Sequence, residues 1–262
     1  MYQFLARPDA FLGISGDLRC TLVEHRITGV PPFMRGLRAL FLSDIHVMPQ
    51  TPQSAIEGLV ARMKAVRADV VLLGGDYADL PEPAQRWLAA MRGFCAPLGV
   101  YAAVGNNDRE AFPDVAVLRR RMEDAGIRLL LNESHTVKLR GGRLIVAGVD
   151  EYRRGAPEAH GLYPKKSRPD CFRLLISHYP REIDPMPDLM LSGHTHGGQF
   201  NFLGITPYAI GFERILHRDR APRFIAGLHA CRGGRIFVSK GLGASRIPLR
   251  AGVRPEMDLL LF

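Results

Sequence analysis

Cysteine is scarce in this chain, and its few copies are scattered. The 262 residues include four cysteines, and no two of them form a C-x-x-C pair: Cys20, Cys95, Cys171 and Cys231. A structural zinc site made of paired thiolates is therefore excluded. Isolated thiols without a disulfide framework are typical of a protein in a reducing compartment.

Long apolar runs are also absent. No stretch approaches the about 20 apolar residues that a membrane-spanning helix needs. Residues 1–18 lack the basic start and apolar stretch of an export signal. With 47% hydrophobic and 23% charged residues, the composition is that of an ordinary globular protein. We expect a cytoplasmic protein folded as one domain over residues 1–262.

Acidic residues are depleted toward the C-terminus. Between positions 200 and 254, ten Lys and Arg residues stand against two acids, and the whole chain has a formal net charge of +9. Part of this region, about residues 200–227, is predicted to be an aromatic and basic insertion: Phe200, Phe202, Tyr208, Phe212, Arg214, Arg218, Arg220 and Arg223. Such a surface attracts phosphates or an anionic membrane, and a loop that merely covers a sheet edge is an open alternative. Few stretches that could stack bases are interleaved with the basic residues, so nucleic acid is not the expected partner.

Short apolar runs predict five buried strands. They lie at residues 37–42, 69–73, 100–104, 172–176 and 188–191. Helical spacing of apolar residues predicts helices at 53–66, 83–94 and 114–124, and further strands are predicted at 18–28, 128–131, 136–139, 143–149, 235–238 and 257–262. Residues 151–171 are predicted to form a loop. Helices alternating with strands in the first half indicate an α/β fold.

Metal-binding residue types follow all five buried strands. They are Asp44, His46, Asp76, Asn106, His178, His194 and His196. Open α/β sheets place their ligands at the carboxyl ends of strands. Residues two apart in an extended segment point to the same side, so the two histidines of the glycine-rich stretch LSGHTHGG can converge on one spot. Polar groups crowded in this way would repel each other or stay unpaired unless cations neutralise them.

The chemistry of this set indicates which cations. Imidazoles combined with carboxylates and an amide suit first-row ions such as Mn, Fe or Zn. Seven side chains are too many for one open catalytic ion. We therefore expect two divalent transition-metal ions bridged by one carboxylate.

The motifs FLSDIH, LLGGDYAD, AVGNND, LLISH and LSGHTHGGQF occur in that order over about residues 37–199. In order, spacing and strand context they resemble the calcineurin-like metallophosphoesterases, and the tail GLGASRIPLRAGVRPEMDLLLF resembles a bacterial phosphodiesterase branch of that superfamily. The resemblance implies a four-layer α/β/β/α sandwich of two mixed sheets flanked by helices. It also implies a metal-dependent enzyme that cleaves a phosphodiester or pyrophosphate bond by attack of a metal-bound hydroxide.

The family pattern, carried over to this chain, divides the ligands between two ions. It places Asp44, His46 and His196 on one ion. It places Asn106, His178 and His194 on the other, with Asp76 bridging both.

One position departs from the family pattern. The family usually has G-N-H-D or G-N-H-E, in which the His assists the leaving group and the following acid orients its ring; here the third residue is Asn107. An asparagine can donate a hydrogen bond but cannot act as an acid near neutral pH. The candidate catalytic residues are therefore Asn107, Asp108 without its usual ring partner, and Arg109 as a source of positive charge.

This departure predicts something about the substrate. A phosphate or nucleotide leaving group is already a stable anion and needs no proton, so pyrophosphates and activated esters should react best. Bacterial UDP-diacylglucosamine pyrophosphatases belong to the same superfamily and resemble this pattern, which makes a lipid nucleotide a candidate substrate. Two alternatives stay open: a metal-binding scaffold with weakened catalysis, and a phosphodiesterase acting on cyclic nucleotides or nucleic acid.

Overall fold

The computed structural model describes residues 12–14, 17–202, 205–206, 222–244 and 247–262. Its strands are β1 Leu12–Ile14, β2 Thr21–Arg26, β3 Arg38–Leu42, β4 Val70–Leu73, β5 Val100–Ala102, β6 Arg128–Leu129, β7 Glu133–Leu139, β8 Gly142–Gly148, β9 Cys171–Ile176, β10 Leu189–Ser192, β11 Gly227–Cys231, β12 Gly234–Val238, β13 Leu249–Ala251 and β14 Glu256–Leu261. Its helices are α1 Gln53–Val66, α2 Pro81–Met91, α3 Asn106–Ala111 and α4 Val115–Asp124, with 3₁₀ turns at Pro32–Met34 and His196–Gly198.

The first sheet has the strand order β2-β14-β3-β4-β5-β6. Strands β3 to β6 are parallel to one another, whereas β14 lies antiparallel to β3 and parallel to β2. The carboxyl ends of β3, β4 and β5 therefore meet at one edge, where the motifs containing Asp44, Asp76 and Asn106 follow.

The second sheet has the strand order β11-β12-β10-β9-β8-β7. Its four central strands are parallel, and β7 and β11 pair antiparallel at the two sides. The carboxyl ends of β9 and β10 carry His178 and the pair His194 and His196.

Apolar side chains from both sheets form a shared core. Phe41 and Leu72 of the first sheet belong to the same buried cluster as Leu174, Leu191 and Phe237 of the second. Such burial stabilises by about 25 cal/mol per Å² of apolar surface removed from water, and it fixes one sheet against the other.

Helices α1, α2 and α4 cover the outer face of the first sheet. Their apolar residues recur at helical spacing, as with Ile56, Leu59 and Met63 in α1, and pack on β3, β4, β5 and β14. Over the outer face of the second sheet, the described cover consists of non-helical residues such as Ala159, Tyr163 and Phe224.

The predicted α/β fold class is confirmed: the chain forms two mixed sheets with flanking helices. The sequence interpretation missed α3 and β11 because both are short and glycine-flanked, and it missed the pair of β1 with β13, which depends on long-range contact. Most of the predicted insertion, including Tyr208, Phe212, Arg214, Arg218 and Arg220, lies outside the described residues. None of the described helices is long and apolar enough to span a membrane.

Candidate metal centre

Backbone geometry at the strand ends is unusual. Positive φ angles occur at five of the seven candidate ligands: Asp44 (53°), His46 (45°), Asp76 (55°), His194 (69°) and His196 (52°). Non-glycine residues rarely occupy this left-handed region, and such strain persists only where the surrounding structure imposes it, typically at functional sites. Five of the seven candidate ligands are therefore held in strained backbone conformations that direct their side chains toward one region.

The structure brings these side chains together in two overlapping groups. In each group, one potential ligand atom per residue lies within 4.8 Å of the others: Asp44, His46 and His196 form one group, and Asp44, Asp76 and His178 form the other. All are buried, and Asp44 is completely so. The first group coincides with the ligands predicted for one ion. The second contains the predicted bridging carboxylate, one predicted ligand of the other ion, and Asp44, which was predicted for the first ion.

Hydrogen bonds fix how two of the imidazoles are presented. The Nδ1–H of His178 donates to the carbonyl oxygen of Gly74 at 2.8 Å, and the Nδ1–H of His46 donates to Oδ1 of Asp79 at 2.7 Å. Carbonyl and carboxylate oxygens only accept, so each ring carries its proton on Nδ1 and leaves the Nε2 lone pair available. Partners of this kind are what orient metal-ligating histidines in proteins.

Those Nε2 atoms have no hydrogen-bond partner within the described part of the chain, although both are buried. The Nε2 of His178 lies 3.3 Å from Oδ2 of Asp76, and that of His46 lies 3.6 Å from the same oxygen. Buried polar atoms are normally satisfied, so two Nε2 atoms that face a carboxylate without a hydrogen bond mark a position that a proton or a metal cation can take. The donor set therefore fits divalent metal ions.

The pKa shifts of His178 and Asp76 also agree with a cation site in this cluster. Burial lowers the pKa of His178, but the carboxylates of Asp76 and Asp44 outweigh burial and raise it to about 10. Burial likewise raises the pKa of Asp76, yet His178 and His46 bring it below its ordinary value. Without a metal ion, the carboxylates attract protons onto the imidazoles, and those protons occupy the positions that a cation would take.

Asn106 and His194 are also brought together. The Oδ1 of Asn106 lies 2.9 Å from Nδ1 of His194, and the backbone N–H of His194 donates to both carboxylate oxygens of Asp44 at 3.0 Å. The side chains of Asn106 and His194 can therefore contribute ligands to the same ion as His178. The ring centroids of His178 and His194 are 5.3 Å apart.

Asn107 contacts a carboxylate that sequence reasoning did not single out. Its Nδ2 donates to Oδ1 of Asp79 at 2.6 Å, and its Oδ1 accepts from Nδ2 of Asn106. Asp79 is the final residue of LLGGDYAD and also holds His46. Its position three residues after Asp76 was the only sequence signal for it.

The side chain of Asp108 hydrogen-bonds to backbone N–H groups. Its carboxylate is buried and accepts hydrogen bonds from the N–H groups of Asp76 (2.7 Å), Tyr77 (3.0 Å) and Gly105 (2.8 Å). Burial and the nearby charge of Asp76 raise the pKa of Asp108 to about 7, against the effect of those donors. Asp108 thus ties the loop after β4 to the start of α3, and the acid available to orient a side chain at position 107 is Asp79.

Arg109 makes a bidentate ion pair with Asp150, which follows β8. Its Nε donates to Oδ1 of Asp150 at 2.9 Å, and its Nη2 donates to Oδ2. The charge of Arg109 is therefore balanced at this position, and the pair links α3 to the second sheet. This arrangement favours a positioning role over the predicted supply of charge to a substrate.

The C-terminal tail encloses the cluster through Arg250, which sequence reasoning also missed. This arginine is fully buried and donates to the carbonyl oxygens of Gly243 (2.6 Å) and Lys240 (2.7 Å), while burial lowers its pKa to about 10. Gly243 in turn donates from its N–H to the carbonyl oxygen of Asp44 at 2.6 Å. Nothing in the local sequence distinguishes this arginine from the other basic residues of the tail.

Comparison with known proteins gives one family. The sequence pattern of the calcineurin-like phosphoesterases matches residues 37–198, which contain all seven candidate ligands. The metallophosphoesterase YkoQ of Bacillus subtilis is 30% identical over 237 residues, covering 86% of this chain and 83% of that protein. The phosphodiesterase YaeI of Escherichia coli is 29% identical over 249 residues, covering 91% and 87%. Among solved structures, the NAD nucleotidase of Haemophilus influenzae aligns with a TM-score of 0.47 and 14% identity over 79% of this chain and 45% of that one.

Proposed function

This chain belongs to the calcineurin-like phosphoesterase family, and we propose that it uses two divalent transition-metal ions to hydrolyse a phosphodiester or pyrophosphate bond. One observation carries the proposal. The buried Nε2 atoms of His46 and His178 lack hydrogen-bond partners among the described residues and face the carboxylate of Asp76. A cation between them would satisfy both lone pairs and offset the buried negative charge.

The seven strand-end residues are proposed to hold the ions. Asp44, His46 and His196 would hold one, and Asn106, His178 and His194 the other, with Asp76 reaching both. The position of Asp76 supports this division, because its Oδ2 lies 3.6 Å from Nε2 of His46 and 3.3 Å from Nε2 of His178. When bound, such ions offset the charge of the phosphate and make water acidic enough to attack near neutral pH. We propose Mn, Fe or Zn because imidazole, carboxylate and amide ligands suit these metals.

Asn107 is proposed to contact the departing oxygen. One N–H of its Nδ2 is used by Asp79, and the amide retains a second N–H that can donate to a ligand. This group can donate a hydrogen bond but cannot give up a proton, so the departing oxygen must leave largely as an anion. Pyrophosphates and activated diesters meet that requirement.

A lipid nucleotide of the UDP-diacylglucosamine type is the more specific candidate substrate. The absence of an acid at position 107 and the basic C-terminal region, which could contact an anionic membrane surface, support it. The protein would then act in the cytoplasm at the membrane surface. Phosphate esters of other kinds, cyclic nucleotides included, remain the alternative.

Turnover of bis-4-nitrophenyl phosphate in the presence of Mn²⁺ tests the proposal. We expect wild type to hydrolyse this activated diester, and Asp44→Asn and His196→Ala to abolish turnover while retaining the native circular dichroism spectrum. The exposed substitution Arg168→Gln is the matched control and should leave turnover unchanged. A metal-replete wild type without turnover on diesters or pyrophosphates would instead favour the scaffold alternative.

A further inference from the structure

Aromatic and cationic side chains lead away from the candidate metal centre across the loops after β8 and β9. Tyr179 directly follows His178, and its ring centroid lies 4.7 Å from that of His194. Tyr152 stacks on Tyr179, with centroids 5.4 Å apart and 27° between the ring planes. The guanidinium carbon of Arg181 lies 4.3 Å from the centroid of the Tyr152 ring. The series therefore extends from the centre outward, one planar group after another.

Exposure increases along this series. Tyr179 is 6% exposed, Tyr152 is 44% exposed, and Arg181 is exposed. Within the described ranges, Arg181 makes no ion pair with an acid, and the carboxylate of the neighbouring Glu182 pairs with Arg223 instead. The ring of Tyr152 and the guanidinium of Arg181 thus meet solvent together, on the side of the metal centre formed by the second sheet.

A planar, positively charged surface of this kind suits a particular ligand. Nucleobases stack on tyrosine rings and on guanidinium planes, and the guanidinium also attracts phosphate. A group bound here would extend from a phosphate held at the metal centre, because Tyr179 contacts the candidate ligand His194. We propose that Arg181, stacked on the ring of Tyr152, forms with it a subsite for a nucleoside attached to the reacting phosphate, so that the substrates are nucleotidyl esters or nucleoside diphosphate derivatives. This proposal rests on the proposed function, which places the phosphate at the metal centre.

The test uses two substrates with the same leaving group. Thymidine 5′-(4-nitrophenyl phosphate) and methyl 4-nitrophenyl phosphate both release 4-nitrophenolate, and they differ in whether a nucleoside remains on the phosphate. We expect Tyr152→Ala to raise KM for the thymidine ester by about tenfold, a change typical of losing one stacking contact, because the guanidinium of Arg181 then loses the ring that holds it. The methyl ester should keep its KM within about twofold, because it does not reach the subsite. Arg181→Gln should act in the same direction.

Binding of the product provides a second readout. Calorimetric titration of metal-loaded protein with thymidine 5′-monophosphate should show a Kd that rises in Tyr152→Ala by the same factor as KM. Tyr152→Phe keeps the ring and should restore both values, which separates stacking from a general loosening of the loop. Arg168→Gln, an exposed arginine elsewhere, should change neither value.

The outcomes distinguish this proposal from the proposed function. Equal KM values for the two esters in wild type, or equal changes for both in Tyr152→Ala, would mean that the stack is purely structural, while turnover of the methyl ester would leave the proposed function standing. If wild type turns over neither ester and no pyrophosphate with Mn²⁺ present, both proposals are wrong.

Discussion

The carboxylate of Asp79 accepts hydrogen bonds from His46 and Asn107 through the same oxygen, Oδ1. One residue therefore sets the orientation of a candidate metal ligand and of the candidate leaving-group contact. Both partners lie about thirty positions away in sequence, so only the folded chain reveals the connection.

Asp79→Ala should weaken metal binding. Loss of the acceptor frees the His46 ring to rotate and to change tautomer, and such outer partners typically contribute about 10–100-fold to metal affinity or activity. Competition with a chelating dye measures the Mn²⁺ affinity. Asp170→Ala, which removes a partly exposed carboxylate paired with Arg143, is the control and should leave the affinity unchanged. An unaltered affinity in Asp79→Ala would show that His46 needs no orienting partner.

Asn107→His should reduce the dependence of rate on the leaving group. Wild type must expel the departing oxygen without a proton, so its rate should fall steeply as the leaving-group pKa rises. A histidine at this position would have Asp79 as its orienting carboxylate, because Asp108 is occupied by three backbone N–H groups. General acid assistance is typically worth about 10²–10⁴-fold, and this gain should be seen on alkyl esters. Diesters with graded leaving groups measure the slopes, and identical slopes in both proteins would exclude a missing acid at position 107.

At the scale of elements, the centre depends on loops in which glycine backbone packs directly against candidate ligands. A Cβ built on Gly105 would lie 2.0 Å from Oδ1 of Asp76 and 2.5 Å from its backbone N. These contacts are far closer than any side chain permits. Position 105 therefore requires glycine because Asp76 lies so close to its backbone. The backbone conformation of Gly105 itself does not impose this requirement.

Gly105→Ala should displace Asp76 and destabilise the fold by about 1–3 kcal/mol, the usual effect of overpacking. Gly58→Ala is the matched control: the position lies inside α1, where a Cβ meets nothing within 4 Å. There the substitution should stabilise by about 0.5–1 kcal/mol, because alanine favours helix. Urea unfolding together with metal affinity measures both. Equal effects of the two substitutions would contradict the packing described at Gly105.

The sequence predicted those parts of the centre that local pattern determines. Asp44, Asp76 and His178 each follow a short apolar run, and the topology of parallel strands brings such ends together. Helix α1 was predicted with the bounds that the structure has, because its apolar spacing is regular over four turns. Whether these residues bind metal stays a prediction.

Contacts set by long-range packing could not be predicted. The partner of Arg109 is Asp150, 41 positions away, and Arg250 contacts the backbone of a loop that its own sequence does not specify. An isolated arginine in a basic tail has the same local signature whether it is buried or exposed. Whether such an arginine is buried or exposed depends on how the two sheets pack against each other.

At the scale of the whole molecule, the centre joins the two sheets. Asp44 and Asp76 come from the first sheet and His178 from the second, and the Nε2 of His178 lies within 4 Å of both carboxylates. Bound ions would therefore hold together elements that are otherwise connected mainly by the apolar core. Ligands that bind only the folded state stabilise it by mass action.

Removal of metal should lower the melting temperature. At a free-ion concentration 100 times Kd, one bound ion contributes about 2.7 kcal/mol, which corresponds to roughly 5–10 °C for a chain of this size. Calorimetric scans with and without a chelator measure the shift. Asp76→Asn should melt at one temperature under both conditions, whereas a chelator-independent wild type would mean that the ions do not tie the sheets together.

The central claim is a centre of two metal ions that share Asp76, and elemental analysis of metal-replete protein tests it most directly. The account predicts two Mn, Fe or Zn ions per wild-type chain after dialysis and loss of both in Asp76→Asn. One ion or none in wild type, or two retained in Asp76→Asn, would contradict it.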